Sequence, residues 1–489
     1  MYSPKSLPLP PSPYTLIYQI MPLGNFTAPQ IFEALKTFSH PFLLESVKGS
    51  LQTARYSFIG SDPFLVFKSR GYQIEITQGE SIQRISNHPL QELKRLMNRY
   101  RLPQPPGFPP FIGGAAGYFS YDVCRFFEHL PCTTDDDLNL PEIYLSFYDS
   151  AAIIDQHENS LWLLSTGLRL NSPDKAYQSA REWVEKTAAA LTNPLPQYKP
   201  PIPTLSTSNQ ISSNFTQAGF EKIVANAQEY IRAGDIFQVN LSQRLQSPIS
   251  GDYWELYKSL RRINPSPFAC YLEDEDFTIV SCSPERLVRL QDRQVDTRPI
   301  AGTRPRGRDR QEDADLSAEL ILSEKERAEH IMLVDLERND LGRICEYGSV
   351  RVNELMVIED YSHVFHIVSN VQGRLLAGKD CFHVLRATFP GGTITGTPKI
   401  RSMEIIDELE PTRRGIYTGS IGYLSFGGNL DLNIVIRTFL IKNNTAYIQV
   451  GCGIVADSIP EKEYWETLHK AEALLQTLQV HSMANCASI

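Results

Sequence analysis

The sequence has no long hydrophobic run and no paired-cysteine motif. No apolar segment approaches the roughly 20 residues needed to span a membrane. The first residues, Met1 to Pro11, contain no apolar run of the kind found in a signal peptide. The 8 cysteines, at positions 124, 132, 270, 282, 345, 381, 452 and 486, are scattered without a Cys-x-x-Cys pair. These absences argue against a membrane span and a disulfide framework, and they predict a cytoplasmic protein with reduced thiols.

Several signatures of catalysis and nucleotide binding are also missing. There is no Gly-x-Ser-x-Gly elbow, no His-Glu-x-x-His motif and no dinucleotide-binding fingerprint. The glycine-rich loop Pro390–Lys399 lacks the Gly-Lys-Ser/Thr ending of a P-loop, so we do not expect nucleotide binding, although its N–H groups could face an anion. The formal net charge of −9 argues against nucleic-acid and anionic-membrane partners. It does not exclude a small anionic substrate held by local basic residues.

The 489 residues mix short apolar runs with amphipathic segments. They show no regular alternation of strand and helix, so we predict an α+β fold rather than a doubly wound one. A Pro- and Ser-rich segment, 193–214, separates an N-terminal subdomain, 14–192, from a second subdomain, 215–479. This segment is either a linker or a surface loop. One long helix is predicted from about 313 to 341, and strands are predicted over 431–441 and 445–450.

Two pairs of glutamates could form a metal site. Glu463 and Glu466 lie one turn apart on the helix predicted after Gly453, and Glu326 and Glu329 have the same spacing on the long helix. Each pair alone is more typical of a solvated or salt-bridged helix surface than of a metal site. Two pairs on facing helices would make an oxygen-rich site suited to Mg²⁺.

Arg437 and Lys470 are the basic residues best suited to a carboxylate substrate. Arg437 is predicted to lie inside an otherwise apolar strand, where its guanidinium could hold a carboxylate with two hydrogen bonds. The alternative is a buried Arg paired with a structural Asp or Glu. His363 and His366 are an odd number of residues apart in one predicted strand, so they face opposite sides. A single such His is more often a core residue than a catalyst.

Four segments resemble the family of chorismate-utilising enzymes. They are Pro299–Gly307, Asp335–Gly342, Pro390–Lys399 and Gly451–Lys470. The resemblance covers nearly the whole chain and is densest from about Phe215 to Leu478. It implies one large α+β fold with two stacked sheets flanked by helices, and a Mg²⁺-dependent site for chorismate.

The resemblance also implies roles for individual residues. Glu329 and Glu466 resemble Mg²⁺ ligands, with Glu326 and Glu463 beside them. The groups that resemble the chorismate carboxylate site are Tyr417, Arg437, the backbone around Gly451 and Gly453, and Lys470 nearby. Glu285 resembles the acid that helps the ring hydroxyl to leave, since hydroxide leaves poorly unless it is protonated. His366 and Thr303 resemble residues that line the reacting ring.

Gln238 indicates which nucleophile is used. Family members that add water carry a Lys base at this position, and a Gln cannot deprotonate water. The resemblance therefore implies amination by ammonia. Gly451-Cys452-Gly453 lacks the Gly-x-Cys-x-Gly elbow of a glutaminase. Ammonia is expected from a separate glutamine amidotransferase subunit or from free ammonium.

Two aminated products remain open. The segments Pro390–Gly396, Tyr417–Tyr423 and Asn264–Ala269 look more like the branch that makes 4-amino-4-deoxychorismate for para-aminobenzoate and folate synthesis. Ala301 points towards the alternative, the anthranilate branch of tryptophan biosynthesis. The best-understood members of the first branch have a Lys there, which acts as a transient nucleophile.

A second ligand site is suggested by resemblance alone. The segment that ends at Ser46, with Asn264, Pro265 and Phe268, resembles a tryptophan pocket of the family. Such a pocket could be regulatory, structural or filled by a built-in ligand. A catalytically silent relative would be expected to lack some of Glu285, Glu329, Glu463, Glu466 and Arg437. All five are present, so an enzyme is predicted.

Overall fold

The fold is described from a computed structural model covering residues 3–35, 39–50, 53–170, 172–192, 206–207, 211–360 and 364–483. Most of segment 193–214, and also His363, lie outside the described residues. The two predicted subdomains share both sheets of the fold, because strands from the two parts pair with each other in each sheet. The boundaries 14–192 and 215–479 therefore stay predictions about the sequence.

The strands, in chain order, are β1 Lys5–Pro8, β2 Thr15–Pro22, β3 Phe42–Glu45, β4 Tyr56–Gly60, β5 Leu65–Arg70, β6 Gln73–Gln78, β7 Ser81–Ser86, β8 Gly114–Phe119, β9 Ile143–Tyr148, β10 Ser150–Asp155, β11 Ser160–Ser165, β12 Ser206–Thr207, β13 Ser212–Ser213, β14 Gln238–Ser250, β15 Phe268–Glu273, β16 Thr278–Ser283, β17 Arg286–Gln291, β18 Gln294–Arg298, β19 Ile300–Pro305, β20 Arg351–Asp360, β21 Val364–Arg374, β22 Gly396–Thr397, β23 Ser420–Ser425, β24 Leu430–Asn433, β25 Thr438–Lys442 and β26 Thr445–Ile454.

The helices are α1 Ala28–Leu35, α2 Pro89–Arg99, α3 Pro173–Thr192, α4 Gln217–Ala233, α5 Tyr253–Ile263, α6 Arg310–Leu322, α7 Glu324–Gly342, α8 Cys381–Thr388, α9 Lys399–Leu409 and α10 Pro460–Met483. Short 3-10 helices span Tyr121–Phe126 and Gly392–Ile394. None of the helices in the described part of the chain is long and apolar enough to cross a membrane.

Two antiparallel sheets form the frame of the molecule. Within the described residues, the first sheet has 14 strands in the order β1-β2-β11-β10-β4-β3-β15-β16-β25-β26-β14-β12, with β13 and β22 also paired to β14. The second has 12, in the order β19-β21-β18-β17-β24-β23-β8-β9-β5-β6-β7, with β20 paired to β21. The predicted α+β class with two large sheets is confirmed.

The sheets pack face to face through aromatic side chains. Phe58 of the first sheet contacts Tyr423 of the second, with ring centroids 4.9 Å apart. Phe111, which precedes β8, contacts Phe58, Phe42 and Tyr423. Apolar faces of α1, α3, α5 and α10 cover the first sheet, while α7 and α8 pack on the second. This places a continuous apolar core between two sheets whose outer faces carry helices.

Three predicted elements were wrong in detail. The helix predicted over 313–341 is two helices, because Ser323 leaves helical geometry and its hydroxyl accepts a hydrogen bond from the Glu326 N–H at 3.4 Å, capping α7. The strand predicted over 431–441 is broken at Arg437, whose φ of 54° is left-handed. The strand predicted over 445–450 continues to Ile454 as β26 because β14 pairs with it beyond Val450.

Candidate active site

The chain crosses from one sheet to the other at two neighbouring points. Glu285 lies between β16 of the first sheet and β17 of the second, and Arg437 lies between β24 of the second sheet and β25 of the first. The Ile434 N–H donates to the Glu285 carbonyl at 3.0 Å, and the Cys282 N–H donates to the Arg437 carbonyl at 3.1 Å. The two crossings therefore lie side by side.

Arg437 is a partly buried cation without an acidic partner. No Asp or Glu among the described residues forms an ion pair with it, and its guanidinium donates to the backbone carbonyl of Lys470. Burial lowers its pKa. The alternative interpretation, an Arg paired with a structural carboxylate, is thus contradicted. The left-handed backbone turns the chain at this point, so Arg437 lies at a corner rather than inside a strand.

Tyr417, Gly451 and Lys470 surround the same corner. The Tyr417 hydroxyl lies 2.7 Å from where a Cβ atom on Gly451 would be, and Leu241 O lies 2.6 Å from it. A glycine is therefore required by the close approach of backbone and hydroxyl. Lys470 Nζ donates to Gly451 O at 3.1 Å and pairs with Glu466 at 2.7 Å. Burial raises the pKa of Tyr417, which keeps its phenol neutral and able to donate.

Glu285 is a buried carboxyl, 5% exposed. Burial raises its pKa to about 7, against smaller lowering effects from Thr393, the Ile300 backbone and the Lys470 charge. Its Oε1 atom has no hydrogen-bond partner in the described part of the chain. A carboxyl with a pKa near neutrality and an unpartnered oxygen is suited to general acid catalysis.

His366 lies on β21 opposite Thr303 of β19, the strand that also carries Ala301. Its Nδ1 is 3.2 Å from Gly302 O, and a carbonyl can only accept, so Nδ1 carries the proton in this bond. Burial lowers the His366 pKa to about 4, with further lowering by Arg437 and Lys470. His366 is therefore a neutral imidazole close to both cations.

Gln238 and Asn240 lie on one face of β14, beside the two glycines of β26. A Cβ atom on Gly453 would lie 2.4 Å from Gln238 Nε2, and one on Gly451 would lie 2.8 Å from Asn240 Oδ1. Gln238 Oε1 and Asn240 Oδ1 have no hydrogen-bond partner among the described residues. Sequence reasoning missed Asn240, although its i+2 spacing from Gln238 along a strand could have indicated the shared face.

The glutamates proposed for a metal lie around the start of α7 and of α10. Burial and then the Glu326 charge raise the pKa of Glu329, and Asp457 and Glu466 add to the effect. Burial also raises the pKa of Glu463, with a contribution from Glu466. Lys325 of α7 pairs with Asp457, just before α10, at 3.4 Å. The two helix ends are therefore neighbours, and sequence reasoning missed Asp457.

The four glutamates are not equally available. Glu326 pairs with Arg304 at 3.2 Å, and Glu466 pairs with Lys470. Glu329 and Glu463 form no ion pair with a described residue. Within the described ranges, no three acidic, His or Cys side chains are grouped closely enough to hold a metal ion alone. Mg²⁺ usually binds through one or two carboxylates with water and substrate oxygens, so these residues fit it.

A separate cavity of about 220 Å³ lies between the two sheets. We call it the intersheet cavity. Ser46 and Phe268 line it, whereas Asn264 and Pro265 are not among its lining residues. The Asn264 side chain donates to Cys282 O at 3.1 Å and so supports the segment that leads to β15.

The chain belongs to the family of chorismate binding enzymes, whose sequence model matches residues 41–476. The aminodeoxychorismate synthase component 1 of Bacillus subtilis strain 168 is 45% identical over 455 residues, covering 92% of this chain and 94% of the relative. The anthranilate synthase component 1 of Acetivibrio thermocellus is 44% identical over 459 residues, covering 92% of each. The crystal structure of anthranilate synthase component I from Streptococcus pneumoniae TIGR4 superimposes with a TM-score of 0.76 at 35% identity, covering 88% of this chain and 93% of that one. The predicted family is confirmed.

Proposed function

We propose that this chain aminates chorismate with ammonia in a Mg²⁺-dependent reaction and forms 4-amino-4-deoxychorismate for para-aminobenzoate and folate synthesis. The observation that carries the proposal is Arg437, a partly buried cation with no acidic partner among the described residues. Chorismate is a dicarboxylate, and a guanidinium can hold one carboxylate with two parallel hydrogen bonds. Tyr417 supplies a further donor, and Lys470 adds positive charge beside Gly451.

Glu285 is the proposed general acid. Its carboxyl is close to half protonated at neutral pH. It gives its proton to the departing ring hydroxyl, which leaves as water while the C–O bond breaks. His366, a neutral imidazole beside Gly302, lines the ring with Thr303 in this proposal.

Glu329 and Glu466 are the proposed Mg²⁺ ligands, with Glu326 and Glu463 beside them. When bound, the ion would supply positive charge that fixes the ring carboxylate and polarises it. The support is electrostatic, since the Glu329 and Glu463 carboxylates lie among other negative groups without an ion pair to a described residue. A divalent cation would relieve that repulsion.

Ammonia is the proposed nucleophile because Gln238, a neutral amide, cannot act as a base for water. Both curated relatives are named component 1, which supports a second component as the source of ammonia. We propose that this partner is a glutamine amidotransferase subunit.

The alternative product is anthranilate, formed with release of pyruvate. The relatives divide between the two activities. Ala301 favours the alternative because its methyl group cannot act as the transient nucleophile. Under our proposal, ammonia reaches C4 without a covalent intermediate on this chain.

Product analysis tests the proposal. The purified chain is incubated with chorismate, Mg²⁺ and ammonium at high pH, with a metal-free sample as control. We expect a product with the mass of aminodeoxychorismate that yields para-aminobenzoate only after addition of a pyruvate-eliminating lyase. Fluorescent anthranilate formed without the lyase would establish the alternative. The absence of any aminated product would contradict both.

A second ligand is proposed for the intersheet cavity. Its walls combine the rings of Phe268, Tyr56 and Tyr423 with polar groups, a mixture suited to an aromatic amino acid such as tryptophan. Calorimetric titration with tryptophan, with phenylalanine as control, tests this. Binding heat that is seen with tryptophan but not with phenylalanine supports the proposal. Equal heats for the two amino acids, or no heat with either, contradict it.

A further inference from the structure

A second buried carboxyl lies behind Glu285. Glu337, on the inner face of α7, is 6% exposed and forms no ion pair with any described residue. Asp340, one turn further along the same face, pairs with Lys399 at 2.6 Å at the start of α9. Neither Glu337 nor Asp340 has a role in the mechanism above.

The loop at Gly391–Thr393 lies beside both buried carboxyls. A Cβ atom on Gly392 would lie 2.2 Å from Leu336 Cδ2 and 3.8 Å from Glu337 Oε1, so this loop presses directly against α7. Thr393, the next residue, is close enough to Glu285 to influence its carboxyl. Two consecutive loop residues therefore lie beside the two carboxyls, Gly392 beside Glu337 and Thr393 beside Glu285.

A buried threonine hydroxyl lies beside each of the two carboxyls. Thr393 Oγ1 is buried, and hydrogen bonding from this side chain lowers the pKa of Glu285. Thr297, on β18, is fully buried and influences Glu337. A hydroxyl can both donate and accept a hydrogen bond, so these two threonines supply a group able to exchange protons next to each carboxyl.

The charges around Glu337 favour its protonated form. Burial raises its pKa to about 8, and the Asp340 and Glu285 charges add to the effect while Lys399 opposes it. Arg343 faces Asp340 at 3.8 Å, and Lys470 faces Glu285. At neutral pH Glu337 thus holds a proton, whereas Glu285 is near its titration midpoint.

We propose that Glu337 is a positioning residue that acts through Glu285 by returning a proton to it after each turnover. The proposal rests on the assignment of Glu285 as general acid. Glu285 loses its proton when the hydroxyl leaves as water. Glu337 then passes its own proton to the resulting carboxylate by way of the Thr393 hydroxyl. The proton released by the added ammonia goes to solvent, and Glu337 regains one from solvent, so the reaction has no net proton change.

The variant Glu337→Gln tests this because it keeps the shape and removes the exchangeable acid. We expect kcat at saturating ammonia to fall about tenfold or more, since proton transfer by a placed side chain typically contributes at least that much. The KM for chorismate should stay within about twofold, and the solvent deuterium isotope effect on kcat should increase. Asp335→Asn, on the exposed face of the same helix, is the matched control and should behave as wild type.

Thr393→Val is the second variant, and it should lower kcat in the same way without removing a carboxyl. If Glu337→Gln does not fold, the kcat of Thr393→Val tests the proposal instead. The proposal is overturned if kcat is unchanged. It is also overturned if only the pH midpoint moves while the limiting kcat stays constant, because Glu337 would then act through its charge alone. A wild-type chain that forms no aminated product would remove the proposed function itself, and that result is obtained before any variant is made.

Discussion

Glu285 and Arg286 are neighbours in sequence but belong to two different regions. Glu285 faces the candidate active site, while Arg286 lines the intersheet cavity, where it pairs with Asp431 at 2.9 Å and lies over the Phe268 ring. The chain crosses between the sheets at this point, and successive side chains point to opposite sides. The two regions can therefore be compared directly.

The regions differ in how their polar groups are satisfied. The charged groups that line the intersheet cavity are paired: Arg286 with Asp431, Arg289 with Asp296, and Glu45 with Arg261. In the candidate active site, Arg437, Glu285 Oε1 and Gln238 Oε1 lack such partners within the described residues. Unpartnered buried groups cost stability unless a ligand completes them. The candidate active site is therefore distinguished from the intersheet cavity by buried polar groups that a bound substrate could satisfy.

The largest expected effect is on Glu285. The variant Glu285→Gln keeps the shape but cannot donate a proton to the leaving hydroxyl, so kcat should fall about 10²- to 10⁴-fold. Steady-state kinetics with chorismate and ammonium checks this, with circular dichroism to verify the fold. A loss smaller than about tenfold would mean that another group is the acid.

The same variant should lower activity but stabilise the fold at high pH. Because the folded-state pKa of Glu285 is raised to about 7, its contribution is fully present below pH ~4.5 and is lost as the pH rises towards 7. Glu285→Gln has no such loss. Its free energy of unfolding relative to wild type should therefore increase by about 2–3 kcal/mol between pH 5 and pH 8. Urea unfolding at both pH values measures the difference, and a constant difference would exclude a raised pKa.

Arg437→Met should separate binding from catalysis. Loss of a charged hydrogen-bonding group costs roughly 1.5–3 kcal/mol, so the KM for chorismate should rise about 10- to 100-fold. Stability should change little, because no described acidic partner is left unpaired. Chorismate titration of the initial rate tests this, and an unchanged KM would remove Arg437 from the carboxylate site.

Sequence patterns predicted the fold class and many residues of the candidate site, but not the points where the chain turns or a helix breaks. The strand predicted through Arg437 followed from the apolar residues on both sides, and no residue type there signals a left-handed backbone. The break at Ser323 has neither Gly nor Pro to mark it. Glu337 and Asn240 were missed because their importance depends on which loop or strand packs against them, and this is set by tertiary structure. Glu285 and Gln238 were found only through their family motifs.

Arg289→Met is the counterpart of Arg437→Met in the intersheet cavity and should have the smallest effect on activity. Arg289 pairs at 3.1 Å with Asp296, which is 2% exposed and keeps a hydrogen bond from Gln294 at 3.0 Å. Removing the cation leaves a buried carboxylate partly satisfied, so we expect a loss of about 1–3 kcal/mol in the free energy of unfolding. We expect kcat/KM for chorismate to stay within about twofold. The same Arg-to-Met change should thus lower stability in one region and substrate affinity in the other. If Arg289→Met raised the KM for chorismate as Arg437→Met is expected to do, the two regions would be coupled. The presence or absence of an acidic partner would then not distinguish a structural arginine from a substrate-binding one.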